Sequence, residues 1–210
     1  MNLNYEAIIF DLGGVILNIN YHKTAEAFKE LGVTNFDELY SQAQQIGIFN
    51  ALEVGEIQPE AFYEAIRQMS GLPLSNSVIE AAWNAMLLDL PNHRVDLIKR
   101  IRDEVPIYLL SNTNIIHLKA FRKIIENDCG NALLLEDLFQ KVYYSHEIGM
   151  RKPDANTFRY VLNQHHLSPQ NTLFIDDSIQ HIEGAKAAGI KAHHLVDGDI
   201  MTLFKSEFGY

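Results

Sequence analysis

The second half of the chain, from Pro91 to about residue 196, alternates amphipathic stretches with short apolar segments. This alternation constrains the fold more than any other feature of the sequence. Strands are predicted at 107–110, 141–144, 172–175 and 191–196, and helices near 93–103, 114–127, 154–165 and 178–188. Helices that alternate with short apolar strands indicate an α/β fold with a parallel sheet and helices on both of its faces.

The N-terminal part of the chain adds one strand and then changes character. Residues 7–10 predict a short buried strand, whereas residues 23–89 carry the three- and four-residue spacing of helices. Pro59 suits the first turn of one of these helices, and Ser75 is a candidate N-cap for another. Two further sets support the helical interpretation: Ala25, Phe28 and Leu31, and Phe36, Leu39 and Ala43. We therefore expect an all-helical unit inserted after the first strand, with joints near residues 18–22 and 88–92.

Composition narrows the function classes. The 210 residues carry 17 basic and 27 acidic side chains, a net charge of -10, which argues against nucleic acid or an anionic membrane as a partner. No apolar run reaches membrane-spanning length. The single Cys129 excludes an internal disulfide, and the N-terminus has no secretory signal pattern, so we expect a cytoplasmic protein. The oligomeric state cannot be inferred from the sequence.

Polar residues follow several of the predicted strands directly. Asp11 comes after Ile8-Ile9-Phe10, Ser111 after residues 107–110, and Asp176-Asp177 after residues 172–175. Lys152 lies in a loop just before a predicted helix. In parallel sheets the carboxyl ends of the strands line the ligand crevice, so these side chains are expected to meet there.

The residue types suit phosphoryl chemistry. Asp11 can act as a covalent nucleophile, and Gly13 and Gly14 leave room for an anionic ligand beside it. Ser111 and Asn112 open a helix and can hold phosphate oxygens with hydroxyl and amide groups. Taken singly, each of these could instead be an ordinary turn or helix cap.

The cationic and acidic residues complete the set. Lys152 could neutralise both Asp11 and a bound phosphoryl group, although many lysines are merely solvated. Asp176 and Asp177 repel each other unless a cation or hydrogen-bond donors compensate. With Asp11 they offer the oxygen ligands that Mg²⁺ prefers. The alternative for the pair is one N-cap and one exposed acid, but the ordered occurrence of all four signals favours a catalytic set.

These motifs resemble the haloacid dehalogenase-like hydrolase superfamily. The matching residues are Ile8 to Val15, Leu109 to Asn114, Met150-Arg151-Lys152-Pro153, Phe174 to Ser178, Gly184-Ala185 and Gly189. The likeness covers nearly the whole chain. Within the superfamily the sequence is most similar to the branch of bacterial sugar-phosphate phosphatases typified by α-D-glucose-1-phosphate phosphatase, in the stretches Gly55-Glu56-Ile57 with Phe62 and Gly149 to Pro153.

The resemblance implies a Rossmann-like core formed by residues 1–18 and 91–210, and a helical cap formed by residues 19–90. It implies that Asp11 attacks phosphorus to give an aspartyl-phosphate, which water then hydrolyses. Ser111, the Asn112 amide and Lys152 would bind the phosphoryl group. Asp11, the Gly13 carbonyl and Asp177 would hold Mg²⁺, with Asp176 supporting it through water. The implied substrate is a small phosphorylated metabolite, with a sugar phosphate favoured.

The sequence departs from the family pattern at two positions. Most phosphatases of the superfamily carry an acid-base Asp where this chain has Gly13, and His22 is a possible substitute. His181 stands where the last motif commonly has Asn, which affects a capping or network role. Gly13 leaves two alternatives open: a metal-independent 2-haloacid dehalogenase, which the Asp176-Asp177 pair argues against, and a catalytically weak phosphometabolite-binding regulatory protein.

Substrate choice is expected to depend on the cap. The candidate cap residues are His22, Lys23, Phe49, Asn50 and Trp83, which the sequence does not rank.

Overall fold

Five parallel strands form the centre of a computed structural model, which describes residues 4–36, 38, 40, 47–196 and 198–209. The strands are β1 (Ala7–Phe10), β2 (Ile107–Ser111), β3 (Lys141–Tyr144), β4 (Thr172–Asp176) and β5 (Lys191–His194). They lie in the order β3-β2-β1-β4-β5. The central β1 pairs Ile9 with Tyr108 on one side and with Phe174 on the other. The predicted α/β class with a parallel sheet is confirmed.

Helices connect the strands throughout the described residues. They are α1 (Tyr21–Glu30), α2 (Ile48–Glu53), α3 (Pro59–Ser70), α4 (Asn76–Asn84), α5 (Asn92–Arg102), α6 (Ile115–Cys129), α7 (Leu134–Leu138), α8 (Ser145–Ile148), α9 (Ala155–Gln164), α10 (Ile179–Ala187) and α11 (Ile200–Phe208). None of those described is long and apolar enough to cross a membrane.

The predicted strands and the helices between them agree with the structure to within two residues at each end. Outside the stretch of residues 23–89, which was predicted to be helical as a whole, three of the described helices were not predicted. α7 and α8 are only five and four residues long, too short to show a helical period. α11 begins after Asp199, whose side chain accepts a hydrogen bond from the Met201 amide. An N-cap residue before an apolar pattern was therefore the signal that could have found α11.

The alternation of side chains along β1 explains why both faces of the sheet are covered. Ile8 and Phe10 pack on one face with residues of α5, α6 and α11. Ala7 and Ile9 pack on the other face with residues of α9 and α10. Because successive strand residues point to opposite faces, a strand buried on both faces is apolar throughout, as β1 is.

The helices between β1 and β2 share a separate hydrophobic cluster that includes Phe28, Phe62, Ile79 and Trp83. Ile116 of α6 joins this cluster from the sheet side. Helices are present where the sequence predicted them at α1, α3 and α4, whereas Leu39 and Ala43 lie outside the described residues.

The two passages of the chain between this helical layer and the sheet lie side by side. The Asn18 amide donates to the Asp89 carbonyl at 2.9 Å, and the Asn20 amide donates to the Met86 carbonyl at 2.8 Å. The layer is therefore connected to the sheet through two adjacent, hydrogen-bonded segments.

Candidate active site

A fully buried lysine lies among carboxylates at the carboxyl edge of the sheet. Lys152 has no exposed surface, and its Nζ is 2.7 Å from Asp11 Oδ1 and 2.7 Å from Asp176 Oδ2. Asp11 follows β1 and Asp176 ends β4, and these two strands are parallel neighbours. The sheet register therefore brings together two acids that are far apart in sequence, and the Lys152 ammonium bridges them.

The backbone around Lys152 is held by the segment that follows β2. Asn112 Oδ1 accepts a hydrogen bond from the Lys152 amide at 2.9 Å, and Asn112 Nδ2 donates to the Lys152 carbonyl at 2.8 Å. Ser145 Oγ accepts from the Thr113 amide and donates to the Thr113 carbonyl. Ser111, the last residue of β2, is 4% exposed and lines the same cavity as Asp11. The two loops that carry Ser111 and Lys152 are thus tied together.

The two members of the acidic pair differ in their surroundings. Asp176 is fully buried and accepts hydrogen bonds from Lys152, from the Ser178 amide at 2.8 Å and from His181 Nδ1 at 3.0 Å. Burial opposes its charge, but Lys152 and His181 together hold its pKa at about 2. The predicted network role of His181 is therefore a contact with Asp176. Asp177 lines the cavity instead.

The acids outnumber the cation at this edge of the sheet. Asp11, Asp176 and Asp177 each offer an oxygen within 4.8 Å of the others, with Lys152 as the ammonium group between two of them. Burial raises the pKa of Asp11 to about 6, although Lys152 opposes the rise. Burial and Asp176 raise the pKa of Asp177. Burial is the main cause of both rises, so a cation bound beside these carboxylates would favour their ionised forms, and an all-oxygen donor set suits Mg²⁺.

The glycine turn after Asp11 allows Asp177 to approach the backbone. Gly14 has φ +77°, and a Cβ built on it would lie 2.1 Å from Asp177 Oδ2. Both the conformation and the contact require the absence of a side chain. At Gly13 a Cβ would lie 3.0 Å from Ile19 Cδ1, so a small side chain there needs only a slight shift of Ile19.

A cavity of about 660 Å³ extends from these groups toward the helical layer. Asp11, Ser111, Asn112 and Asp177 line its polar end. Its other lining residues include a largely apolar set: Leu17, Ile19, Ala25, Phe36, Trp83, Met86, Leu87 and Phe121.

The five cap residues proposed from sequence have different positions. His22 and Trp83 line the cavity. Phe49 stacks on Trp83 with ring centroids 5.1 Å apart, Asn50 Oδ1 accepts a hydrogen bond from Arg151 Nη1 at 3.1 Å, and Lys23 is exposed. Two of the five therefore face the cavity directly.

Two further groups at the cavity, Glu53 and His117, were not singled out from the sequence, and Arg151 was noted only as part of the motif around Lys152. Glu53, at the end of α2, forms an ion pair with Arg151, with Nε 2.9 Å from Oε2. Burial raises the pKa of Glu53, although Arg151 opposes the rise. His117 on α6 is buried and lines the cavity wall. Their positions depend on the packing of segments that are distant in sequence, so no local pattern could have identified them.

A parallel sheet that collects Asp, Ser, Lys and an Asp pair at its carboxyl edge, beneath a helical layer, has the architecture of a Rossmann-like hydrolase. The chain belongs to the haloacid dehalogenase-like hydrolase family, whose model matches residues 5–189. The resemblance inferred from the motifs is confirmed at the level of this superfamily.

Similarity to individual proteins covers most of the chain. The chain is 30% identical over 191 residues to a D-ribitol-5-phosphate phosphatase from Bacteroides thetaiotaomicron, covering 91% of this chain and 92% of the relative. It is 28% identical over 199 residues to a sesquiterpene phosphatase from Aspergillus oryzae, covering 94% and 93% of the two chains. A HAD family enzyme from B. thetaiotaomicron, solved in complex with magnesium and inorganic phosphate, is 37% identical with a TM-score of 0.85 and covers 95% of this chain and 99% of that chain.

Proposed function

We propose that this protein is a magnesium-dependent phosphatase that hydrolyses a small phosphorylated metabolite, with sugar phosphates and the related polyol phosphates as the substrate class. The observation that carries the proposal is the buried Lys152 ammonium, 2.7 Å from both Asp11 and Asp176, at the end of a cavity large enough for a metabolite. Two relatives are named phosphatases, and the magnesium and phosphate complex of the B. thetaiotaomicron enzyme supports the same chemistry.

In this proposal Asp11 is the nucleophile. Its free carboxylate oxygen forms a bond to phosphorus while the bond from phosphorus to the leaving-group oxygen breaks, which gives an aspartyl-phosphate. Water then attacks phosphorus, and the Asp11–phosphate bond breaks to release inorganic phosphate. Ser111, the Asn112 backbone amide and Lys152 hold the phosphoryl oxygens, since the Asn112 side chain is engaged with the Lys152 backbone.

Asp11, Asp177 and the Gly13 carbonyl are the groups that would hold magnesium, with Asp176 supporting it through water. When bound, Mg²⁺ supplies charge that neutralises the phosphoryl oxygens. The carboxylate oxygens of Asp11, Asp176 and Asp177 within 4.8 Å of one another support this assignment. A bound cation would favour the ionised forms of Asp11 and Asp177, whose pKa values burial raises. The three hydrogen bonds that Asp176 already accepts suit it to a supporting role.

The helical unit of residues 19–90 acts, in this proposal, as a cap over a core of residues 1–18 and 91–210. Gly13 supplies no acid-base group, so the proton for the leaving group must come from water, the substrate or the cap. His22 is the proposed cap residue for this role, since it lines the cavity. General acid-base assistance is typically worth about 10²–10⁴ in rate.

The dehalogenase alternative receives less support. A dehalogenating nucleophile attacks carbon and needs no metal, whereas three carboxylates lie within 4.8 Å of one another beside this nucleophile. The regulatory alternative rests only on Gly13.

The test is an assay of the purified protein on p-nitrophenyl phosphate and a panel of phosphorylated metabolites with Mg²⁺. We expect turnover that EDTA abolishes and that added Mg²⁺ restores, and a loss of about 10⁴-fold or more in Asp11→Asn. The control is Asp154→Asn, which alters an exposed helix cap outside the site. Absence of phosphoester turnover across the panel would refute the phosphatase proposal. Chloride release from 2-chloropropionate without metal would favour the dehalogenase, and binding without turnover would favour the regulatory protein.

A further inference from the structure

The wall of the cavity carries an imidazole close to the phosphate-binding loop. His117 is in the first turn of α6, the helix that the Ser111-to-Asn114 segment leads into. Asn114 caps this helix by accepting hydrogen bonds from the Ile116 and His117 amides, each at 3.0 Å. The position of His117 relative to the proposed phosphate site is therefore set by a short and rigid connection.

The imidazole ring is held by the helical layer. His117 Nδ1 lies 2.7 Å from Asn84 Oδ1, at the end of α4. The ring stacks on Trp83 with centroids 5.2 Å apart and an angle of 11° between the planes. Trp83 in turn stacks on Phe49, at 5.1 Å and 9°. One hydrogen bond and one stacking contact thus fix the orientation of a side chain that is only 8% exposed.

The protonation of the ring follows from these contacts. Burial lowers the pKa of His117 to about 3, so the imidazole is neutral at physiological pH. A neutral imidazole has one N–H donor and one acceptor nitrogen. Asn84 Oδ1 accepts a hydrogen bond from Nδ1–H, so in the neutral ring the acceptor lone pair is on Nε2.

The Nε2 acceptor is open to the cavity. No hydrogen bond joins Nε2 to any residue that the structure describes, and the atom is not fully enclosed by protein. His117 lines the cavity, so this accessible nitrogen faces the space that a ligand would fill. Neighbouring parts of the wall, Phe36, Trp83 and Phe121, are aromatic.

We propose that His117 Nε2 accepts a hydrogen bond from a hydroxyl group on the carbon skeleton of the substrate, which makes His117 a specificity-determining residue for polyhydroxylated phosphate esters over apolar ones. This inference rests on the proposed phosphatase function. An acceptor nitrogen without a partner among the described residues, beside aromatic rings, discriminates between substrates, because a substrate without the hydroxyl leaves this nitrogen desolvated and unpaired. The aromatic rings would pack against the C–H faces of the same skeleton.

The test compares the loss of kcat/KM caused by removing a substrate hydroxyl in the wild type with the loss in a His117 variant. kcat/KM is measured with Mg²⁺ for an alditol phosphate that the protein hydrolyses, for its deoxy analogues with one hydroxyl removed at a time, and for a prenyl monophosphate. For the wild type we expect one deoxy position to lower kcat/KM by about tenfold. In His117→Phe, which keeps an aromatic ring against Trp83, the parent substrate should lose about tenfold and that deoxy analogue should lose nothing further.

A matched control is His165→Phe, since His165 contacts Tyr143 and Tyr108 and does not line the cavity. The His165→Phe variant should show the same ratios of kcat/KM between the parent substrate and its deoxy analogues as the wild type. The inference is overturned if the wild type shows no deoxy position with more than a twofold effect, a result that does not depend on the folding of any variant. It is also overturned if His117→Phe keeps the full deoxy discrimination, or if prenyl monophosphates are hydrolysed better than every polyol phosphate. Absence of any phosphoester turnover is the separate outcome that refutes the phosphatase proposal itself.

Discussion

Two regions of the cavity differ in construction: the edge, where the carboxyl ends of the strands meet, and the wall, which the helical layer and α6 form. At the edge, Asp11, Lys152 and Asp176 are charged, buried and in direct contact. At the wall, Trp83 and His117 are neutral and stacked. The edge arises because parallel strands end at the same side of a sheet, whereas the wall arises from helices packing on one another. The comparison teaches that the charged groups at the edge follow from strand topology, whereas the stacked groups at the wall follow from interhelical packing.

The two regions also differ in what a substitution leaves behind. Removing a group at the edge leaves a buried charge without its partner, which costs several kcal/mol. Removing a group at the wall leaves a small void or one unpaired neutral atom, which costs less. The following predictions test this difference, beginning with the largest effect.

Lys152→Met is expected to lower the free energy of unfolding by about 3–5 kcal/mol, because Asp11 and Asp176 lose the ammonium group between them. Phosphatase activity should fall below detection in the same variant. Urea unfolding at pH 7 in EDTA measures the first effect. The control is Lys186→Met, an exposed lysine paired with Glu183, which should change stability by less than about 1 kcal/mol. Equal stabilities of the two variants would show that the edge is not electrostatically distinct.

Gly14→Ala is expected to lower kcat/KM by about 10²-fold, since the new Cβ would overlap Asp177 Oδ2 and displace that carboxylate. The matched control is Gly71→Ala. Gly71 has φ +68° against +77° for Gly14, but nothing lies within 4 Å of its Cβ position. Each variant should lose about 1 kcal/mol or more of stability from the left-handed conformation, and only Gly14→Ala should lose activity. Matching activities would remove Asp177 from the proposed metal site.

The smallest effect concerns the wall and is a dependence of stability on pH. The folded-state pKa of His117 is about 3, below its ordinary value of 6.5. Its contribution is therefore complete above pH 6.5 and is lost as the pH falls toward 3, because the unfolded chain takes up the proton first. Between pH 7 and pH 5 the wild type should lose about 2 kcal/mol more than His117→Phe. Parallel urea titrations at the two pH values measure this difference, and identical losses would mean that His117 is not buried as a neutral ring.

Much of the edge could be predicted because its signals are local. A strand shows itself in a few consecutive apolar residues, and the polar residue that ends it is the next letter of the sequence, as at Asp11 and Ser111. The Lys152 loop was also predicted from its residues, but its twofold hydrogen bonding to the Asn112 side chain was not. α7 and α8 were not predicted because they are very short, and α11 was not predicted because its start is marked only by the cap at Asp199.

By itself, the sequence determined the parallel sheet, the inserted helices and the identity of the residues at the carboxyl edge, since hydrophobic period and strand-end polarity are properties of neighbouring residues. Only the tertiary structure decided that His117 meets Asn84, 33 positions away, and that Arg151 meets Asn50, 101 positions away. The physical reason is that such contacts depend on how separate helices and loops pack, and many arrangements satisfy the same apolar pattern until side-chain shapes select one.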